Sequence, residues 1–310
     1  MDKKENEERK KEEGGIGYQP LRKTKISNFK IIPPKKSAFC IPTPEHIPSL
    51  HSLLIFNARR GGGKSVAVTN YVKKLLDSDL MDRIIILTPT WNSNKTIYEP
   101  LNIKEEDILE PVKSSVKDII QIVEEEKKDF DEYIKMKKAY LEYKKEMQSN
   151  TPINEIPPEK MLLYHDYQFF VKKPEWKYKN EVPARIFVII DDCLGTPLML
   201  PSSGLVNLII KHRHIGSGTG VSIAMLTQSY ACQQGLARPI RENCCQLALF
   251  KNTDESQRKK IISEMGDVDE DKFMSMFDYA TAEPYGFLFI DFNAKSPHQQ
   301  FRKNFDEYLT

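Results

Sequence analysis

The sequence predicts an α/β domain with a mostly parallel central sheet flanked by helices, and three observations carry that prediction. Short, nearly uniform apolar runs recur: "LHSLLIF" at 50–56, "RIIILTPT" at 83–90, "ARIFVIIDDCLG" at 184–195, "VSIAMLTQ" at 221–228 and "CQLALFK" at 245–251. Strands this apolar are covered on both faces, as in parallel sheets. Segments of helical period separate them, and strands alternating with helices define the α/β class, with right-handed crossovers. The third observation is "FNARRGGGKSVAVTNYV" (56–72), where a glycine-rich turn joins the first strand to the first helix.

Composition bounds the rest. A chain of 310 residues accommodates one large domain with insertions, and its apolar content excludes wholesale disorder. The formal charge of +2 conceals an uneven distribution. Residues 2–13, "DKKENEERKKEE", read as a solvated tail. From Gly14 to Pro44 there is no acidic residue, whereas Arg22, Lys23, Lys25, Lys30, Lys35 and Lys36 are basic. That strip suits phosphate backbones, or equally an arm lying on the protein's own acidic surface. The organisation expected is a tail and basic arm over 1–47, then one domain over 48–310 with a charged helical insertion at about 105–160. Five cysteines (Cys40, Cys193, Cys232, Cys244, Cys245) form no CxxC pair and no zinc spacing, which fits reduced, buried thiols in an intracellular compartment. No apolar run reaches the length of a membrane span, and the N-terminus is too charged for a signal peptide, so a soluble protein is expected.

Taken in order, "LHSLLIF" is the first strand and a helix follows from about Ser65 to Leu76, broken by Asp77, Ser78 and Asp79. "RIIILTPT" is a second strand, ended by Pro89. "VKDIIQIVEEEKKDFDEYIKMKKAYLEYKKEM" is a charged helix whose partial apolar face comprises Ile119, Ile122, Val123, Phe130, Ile134, Tyr140 and Leu141. Its alternative role is an arm that grips DNA or a partner. "NTPINEIPPEK" is a proline-rich connector. Ile186–Ile190 form a strand suited to the sheet's centre, followed by a helix over about 204–214 and the turn "GSGTG". "TDESQRKKIISEMG" carries a cap, a helical period and a terminal glycine. "YGFLFIDFN" (285–293) adds a last strand at the C-terminus, half of a hairpin.

The glycine turn has what a phosphate loop requires. Gly61, Gly62 and Gly63 let successive backbone N–H groups point inward, Lys64 supplies charge, and Ser65 supplies a hydroxyl for magnesium. Ala58 stands where such loops usually have their first glycine, and alanine is tolerated there if no positive φ is needed. Arg59 and Arg60 complete the loop, their long side chains directed to water or, alternatively, to the γ-phosphate or a neighbouring subunit. Hydrolysis further needs a metal anchor and a group that orients water. "FVIIDD" ends with both: Asp191 as outer-sphere magnesium ligand and Asp192 as general base or water-positioner. Adjacent strand residues face opposite ways, so both serve only if the strand ends there, as Gly195 and Pro197 suggest. Thr227 and Gln228 end the next strand, where the Gln228 amide can report on the γ-phosphate.

With these elements in order, the sequence resembles the FtsK/HerA superfamily of ring-forming, DNA-pumping ATPases. Within it, the chain is most similar to the genome-packaging ATPases of large double-stranded DNA viruses, virophages and related mobile elements. "GGGKS", "FVIIDD", "KHRHIGSGTGVSIAMLTQ" and "RPIREN…LALFKN" carry the resemblance, over roughly 50–100 and 184–295. It implies a P-loop NTPase of RecA/FtsK/HerA type that uses ATP and Mg2+. It also implies that Arg213 is an arginine finger reaching the adjacent subunit's nucleotide, and that Arg241 is a second basic position, a sensor. His212 and His214 read as structural.

The function expected is therefore ATP-driven translocation of double-stranded DNA into a preformed capsid. The partners would be DNA held through its phosphates without sequence preference, a homo-oligomeric ring (pentamer or hexamer) and a capsid vertex or portal component. The location would be the virion, or the host cytoplasm, viral factory or nucleus. A HerA-like helicase shares every catalytic residue, and a nucleotide-gated capsid assembly factor is the non-motor alternative. A GTPase is disfavoured, because "SNKTIYE" has Ile97 where the guanine-reading aspartate belongs.

Overall fold

The computed structural model describes residues 43–149, 152, 155–231, 235–251, 254–266 and 268–310. The acidic–basic tail, the cationic strip, Cys40 and Cys232 lie outside these residues. Among the described residues, nine strands form one sheet in the order β3-β2-β4-β5-β1-β6-β7-β8-β9. They are β1 (Leu53–Asn57), β2 (Arg83–Leu87), β3 (Ile108–Leu109), β4 (Ile186–Asp191), β5 (Val221–Thr227), β6 (Gln246–Phe250), β7 (Phe287–Asp291), β8 (Phe301–Lys303) and β9 (Glu307–Leu309). β3 through β6 pair in parallel, and β7, β8 and β9 add antiparallel. The expected α/β class and mostly parallel sheet are therefore observed.

Alternate side chains of each strand enter two cores. On one face Leu54, Phe56, Ile86, Phe187 and Leu226 pack against Val68, Val72 and Leu75 of helix α1 (Lys64–Asp77), with Tyr98 of helix α2 (Trp91–Tyr98). On the other, Leu53, Ile55, Val188 and Ile223 meet the longest helix, α3 (Ser115–Gln148), through Val116, Ile119 and Val123. Helices α5 (Leu205–Lys211), α6 (Arg238–Glu242), α7 (Glu255–Met265) and α8 (Glu270–Ala280) share that second core. Among the described residues no helix is long and apolar enough to cross a membrane.

Three expectations are corrected. The segment from 105 is not wholly an insertion, because β3 joins the sheet and the first turns of α3 complete the main core. Only the far part of α3 packs apart from it, with helix α4 (Pro158–Asp166), around Tyr164, Phe169, Tyr140 and Tyr143. The proposed apolar face is also narrower: Ile134 and Leu141 are 44% and 52% exposed. Finally, β7 is not the last strand, since β8 and β9 continue the sheet. Their three-residue lengths and charged Arg302, Lys303 and Glu307 leave no periodic signal.

Where α3 crosses the core it carries a buried charge. Glu126, 2% exposed, accepts from Arg83 Nη1 at 2.9 Å, from the Tyr178 hydroxyl at 2.9 Å, and pairs with Lys177 Nζ at 2.9 Å. Arg83 also forks onto Asp107. The network ties β2, the loop before β3, α3 and the chain near 177 into one unit. Removing one member leaves buried charges uncompensated, which costs about 3 kcal/mol or more. Glu126→Ala is thus expected to lower the unfolding free energy by about 3 kcal/mol, read from urea denaturation. The exposed-pair variant Lys104→Ala, on a pair of little weight, is expected to change it by less than about 1 kcal/mol.

Candidate nucleotide-binding site

The site forms where β1, β5 and β4 end side by side. Asn57 of β1 faces Thr227 of β5, and Leu226 faces Asp191 of β4, so the three carboxyl ends are level. Ligands of open α/β sheets bind in the crevice beyond such ends. The Ala58 N–H donates to Thr227 O at 3.1 Å and fixes the start of the glycine loop against β5. Ala58 is fully buried and is not among the residues of positive φ, so its backbone makes no demand that alanine fails to meet. Its methyl group instead constrains Gly62, where a Cβ would lie 2.8 Å from Ala58 Cβ. With alanine at the first position, the loop has no room for a side chain at the fifth.

Lys64, 9% exposed, opens α1 and donates to the carbonyls of Ala58 at 2.8 Å and Arg59 at 3.2 Å. Burial lowers its pKa, while the nearby carboxylates of Asp191 and Asp192 act to raise it. The Ser65 hydroxyl donates to Asp191 Oδ2 at 3.3 Å, and the buried Tyr98 hydroxyl donates to the same oxygen at 2.6 Å. Burial raises the Asp191 pKa, and these two donors oppose the rise by favouring its charged form. Asp191 is the last residue of β4. Asp192 follows with φ +54°, a left-handed turn that aspartate tolerates better than most residues. The chain therefore turns between the acids, and both face the crevice. Gln228 Nε2 donates to Asp192 Oδ1 at 2.9 Å. A turn in which the Ser229 N–H donates to Thr227 Oγ1 at 3.1 Å and that hydroxyl donates to Ser229 O at 2.8 Å sets the end of β5.

The cavity enclosed is about 690 Å3, the size of a small-molecule site. Arg60, the glycine loop, Lys64, Ser65, Asp191, Asp192 and Gln228 all line it. Sequence reasoning missed its other walls: Thr90, Ser93, Asn94 and Ile97 around α2, and Tyr285 and Phe287 before and in β7. The polar run "TPTWNSN" after β2 was the available signal. Tyr98 gave none, because its partner Asp191 is 93 positions away.

Three predicted residues lie elsewhere. Arg59 is exposed, 3.9 Å from the half-exposed Asp254, a pair of little energetic weight. Arg241 is occupied by Glu264, with Nη2 2.8 Å from Oε1, and its guanidinium stacks 5.5 Å from the Tyr230 ring centre. It holds α6 to α7 and does not line the cavity. Arg213 follows α5 near the opposite end of the sheet: its neighbour His212 accepts from Val221 N, the start of β5. Its Nη2 lies 2.9 Å from Cys245 Sγ. The length of β5, about 20 Å, separates that end from its own chain's loop.

The donor set fits a magnesium-bound nucleotide. A hydroxyl beside a carboxylate, with room for water and phosphate oxygens, suits the octahedral oxygen shell of Mg2+. Among the described residues no group of three or more His, Cys, Asp or Glu gathers elsewhere to hold a metal.

Solved structures resembling the chain include an ATPase, a packaging NTPase and a conjugation coupling protein. The genome packaging NTPase B204 of Sulfolobus turreted icosahedral virus 2, in complex with ATP-gammaS, is 12% identical over 82% of this chain and 96% of its own, with a TM-score of 0.42. EssC (ATPases 2 and 3) of Geobacillus thermodenitrificans is 15% identical over 78% of this chain and 38% of its own, at 0.41. The pCW3 conjugation coupling protein TcpA with ATPgS is 13% identical over 78% of this chain and 58% of its own, at 0.40. The chain thus spans well under two thirds of EssC and TcpA. No family model and no curated protein sequence matches the chain. Each TM-score lies below 0.5, and the assignment of the site rests on its own geometry.

Tyr98 offers a direct check on the electrostatics. Its hydroxyl favours the charged form of Asp191, so removing it leaves burial less opposed and raises the Asp191 pKa further. Tyr98→Phe is expected to move the acid limb of the nucleotide-affinity profile to higher pH, with affinity on the alkaline plateau falling less than about tenfold. An unmoved limb in a folded variant contradicts the assignment of Asp191.

Proposed function

We propose that the chain is an ATP-driven motor that translocates double-stranded DNA into a preformed capsid. The observation that carries the enzymatic half is the convergence of Lys64, Ser65, Asp191, Asp192 and Gln228 at the level ends of three adjacent strands. Lys64 and the loop's backbone N–H groups hold the phosphate chain of ATP, and Arg60 stands at the rim. Ser65 and Asp191 would hold Mg2+, which would supply charge neutralisation to the phosphates. Asp192 orients the attacking water and accepts its proton. Gln228, bonded to Asp192, senses whether the γ-phosphate is present and passes that state to β5.

Two observations support the step from hydrolase to ring motor. Arg213 lies at the far end of β5 from its own nucleotide site, so as a finger it serves a neighbouring subunit. Furthermore, "KHRHIGSGTGVSIAMLTQ" and "RPIREN" are the segments in which the sequence resembles packaging ATPases. The ring is a pentamer or hexamer, DNA is held through its phosphates, and a capsid vertex or portal component completes the assembly. Arg241, bonded to Glu264, acts as a positioning residue for the segment after β5 rather than as a sensor at the phosphate.

The test is ATP turnover with and without long double-stranded DNA, for native protein and for mixtures with Arg213→Ala. The expected result is DNA stimulation and a loss of activity steeper than the mutant fraction, because the subunits of a motor ring fire in turn and one site left without its finger stalls the whole ring. A finger contributes about 10³- to 10⁵-fold in rate. Turnover indifferent to DNA, falling in proportion to the mutant fraction, would overturn the motor reading and favour the nucleotide-gated assembly factor.

A further inference from the structure

We propose that Tyr285 is the platform on which the base of the bound nucleotide stacks, an inference that rests on the nucleotide-site reading above. Tyr285 lies in the turn Glu283–Pro284–Tyr285–Gly286, closed by a bond from Gly286 N–H to Glu283 O at 3.1 Å. Proline at the second position and a positive φ at the third give the layout of a type II turn, where glycine or asparagine normally takes the third place. Here it is a tyrosine with φ +64°. A bulky residue rarely occupies this conformation, and such positions cluster at ligand clamps.

Neither turn formation nor core packing accounts for a tyrosine here. The turn is served better by glycine. Burial does not hold it either, since the residue is 72% exposed. Yet the side chain lies against the glycine loop. A Cβ on Gly63 would lie 3.1 Å from Tyr285 Cδ1 and 3.3 Å from its Cβ, so the side chain stands over the residue that precedes Lys64. The turn itself is pressed onto the end of α8, for a Cβ on Gly286 would lie 2.5 Å from Ala280 O. Behind it, Phe287 begins β7 and packs 4.8 Å from the Phe250 ring and 4.9 Å from the Phe305 ring. The result is an exposed aromatic ring beside the glycine loop.

Tyr285 and Phe287 line the same cavity as Lys64 and Asp191, with Val66, Ala67 and Ile97 adding apolar surface. A nucleotide needs such an end: its phosphates occupy the charged part, and its base must leave water for an apolar, preferably aromatic, face. Stacking uses the π-face that every base possesses, so this contact favours nucleotides over bare polyphosphate without selecting strongly among bases.

The test compares equilibrium binding of ATPγS and of inorganic tripolyphosphate, which has no base, both with Mg2+. Native protein, Tyr285→Phe, Tyr285→Ala and Tyr285→Gly are measured, and melting curves check the fold. Glycine suits the positive φ, so Tyr285→Gly retains the turn even if Tyr285→Ala does not. Stacking on an aromatic side chain corresponds to about 5- to 150-fold in affinity. The expected result is an ATPγS affinity lowered by about that factor in Tyr285→Gly and Tyr285→Ala, near-native affinity in Tyr285→Phe, and tripolyphosphate affinity unchanged throughout. Equal losses for both ligands would show that Tyr285 only shapes the loop through Gly63, and would overturn the proposal. ATPγS affinity unchanged in Tyr285→Gly would overturn it as well. Native protein that binds neither ligand would refute the nucleotide-site reading itself, and this proposal with it.

Discussion

The level alignment of β1, β5 and β4 is the constraint on which the rest of the site depends. β5 is bonded in parallel to both neighbours, with Ile223 opposite Leu53 on one side and Val188 on the other. A slip of one residue would exchange every inward and outward side chain of β5. Because both faces of the sheet are buried, such a slip gains nothing apolar, but it would displace Thr227 from Ala58 and Gln228 from Asp192. The register therefore does more than close a sheet. It sets the distance between the glycine loop and the acid pair.

Around that frame the site keeps charged groups in partial burial. Lys64 is held by two loop carbonyls, and Asp191 by the hydroxyls of Tyr98 and Ser65. Burial pushes both groups toward their neutral forms, and their mutual attraction opposes the push. Fixed donors and charges in a cavity partly shielded from water need no reorganisation when phosphate charge arrives or shifts. The helices contribute unequally. α1 presents its N-terminus to the cavity, α2 delivers Tyr98 to the back of Asp191, and the base of α3 braces the opposite face through Glu126.

Much of this was legible in the sequence because it is written locally. Central strands announce themselves as apolar runs, the phosphate loop as glycines before Lys64 and Ser65, and the acid pair as the end of the most apolar strand. The turn between Asp191 and Asp192 was foreseeable from Gly195 and Pro197, although the positive φ falls on Asp192 itself. What was not legible depends on partners remote in sequence. Tyr98 looks like any helical tyrosine until Asp191 is placed beside it. Likewise, Arg241 looks free until Glu264 is brought against it. The charges along α3 do not distinguish its buried first turns from its outlying remainder. β8 is a strand because β7 offers it an edge, and β9 because β8 does. Tyr285 reads as an ordinary turn residue, since the sequence does not show that its backbone has the conformation of a glycine.

The central claim is that this cavity hydrolyses a nucleotide by means of the acid that follows β4. It is tested most directly by measuring ATP binding and ATP turnover together for Asp192→Asn. The substitution preserves size and the contact to Gln228 while removing the base. The account predicts near-native binding with turnover reduced by about 10²-fold or more. Turnover within a few-fold of native, at equal binding, would contradict it.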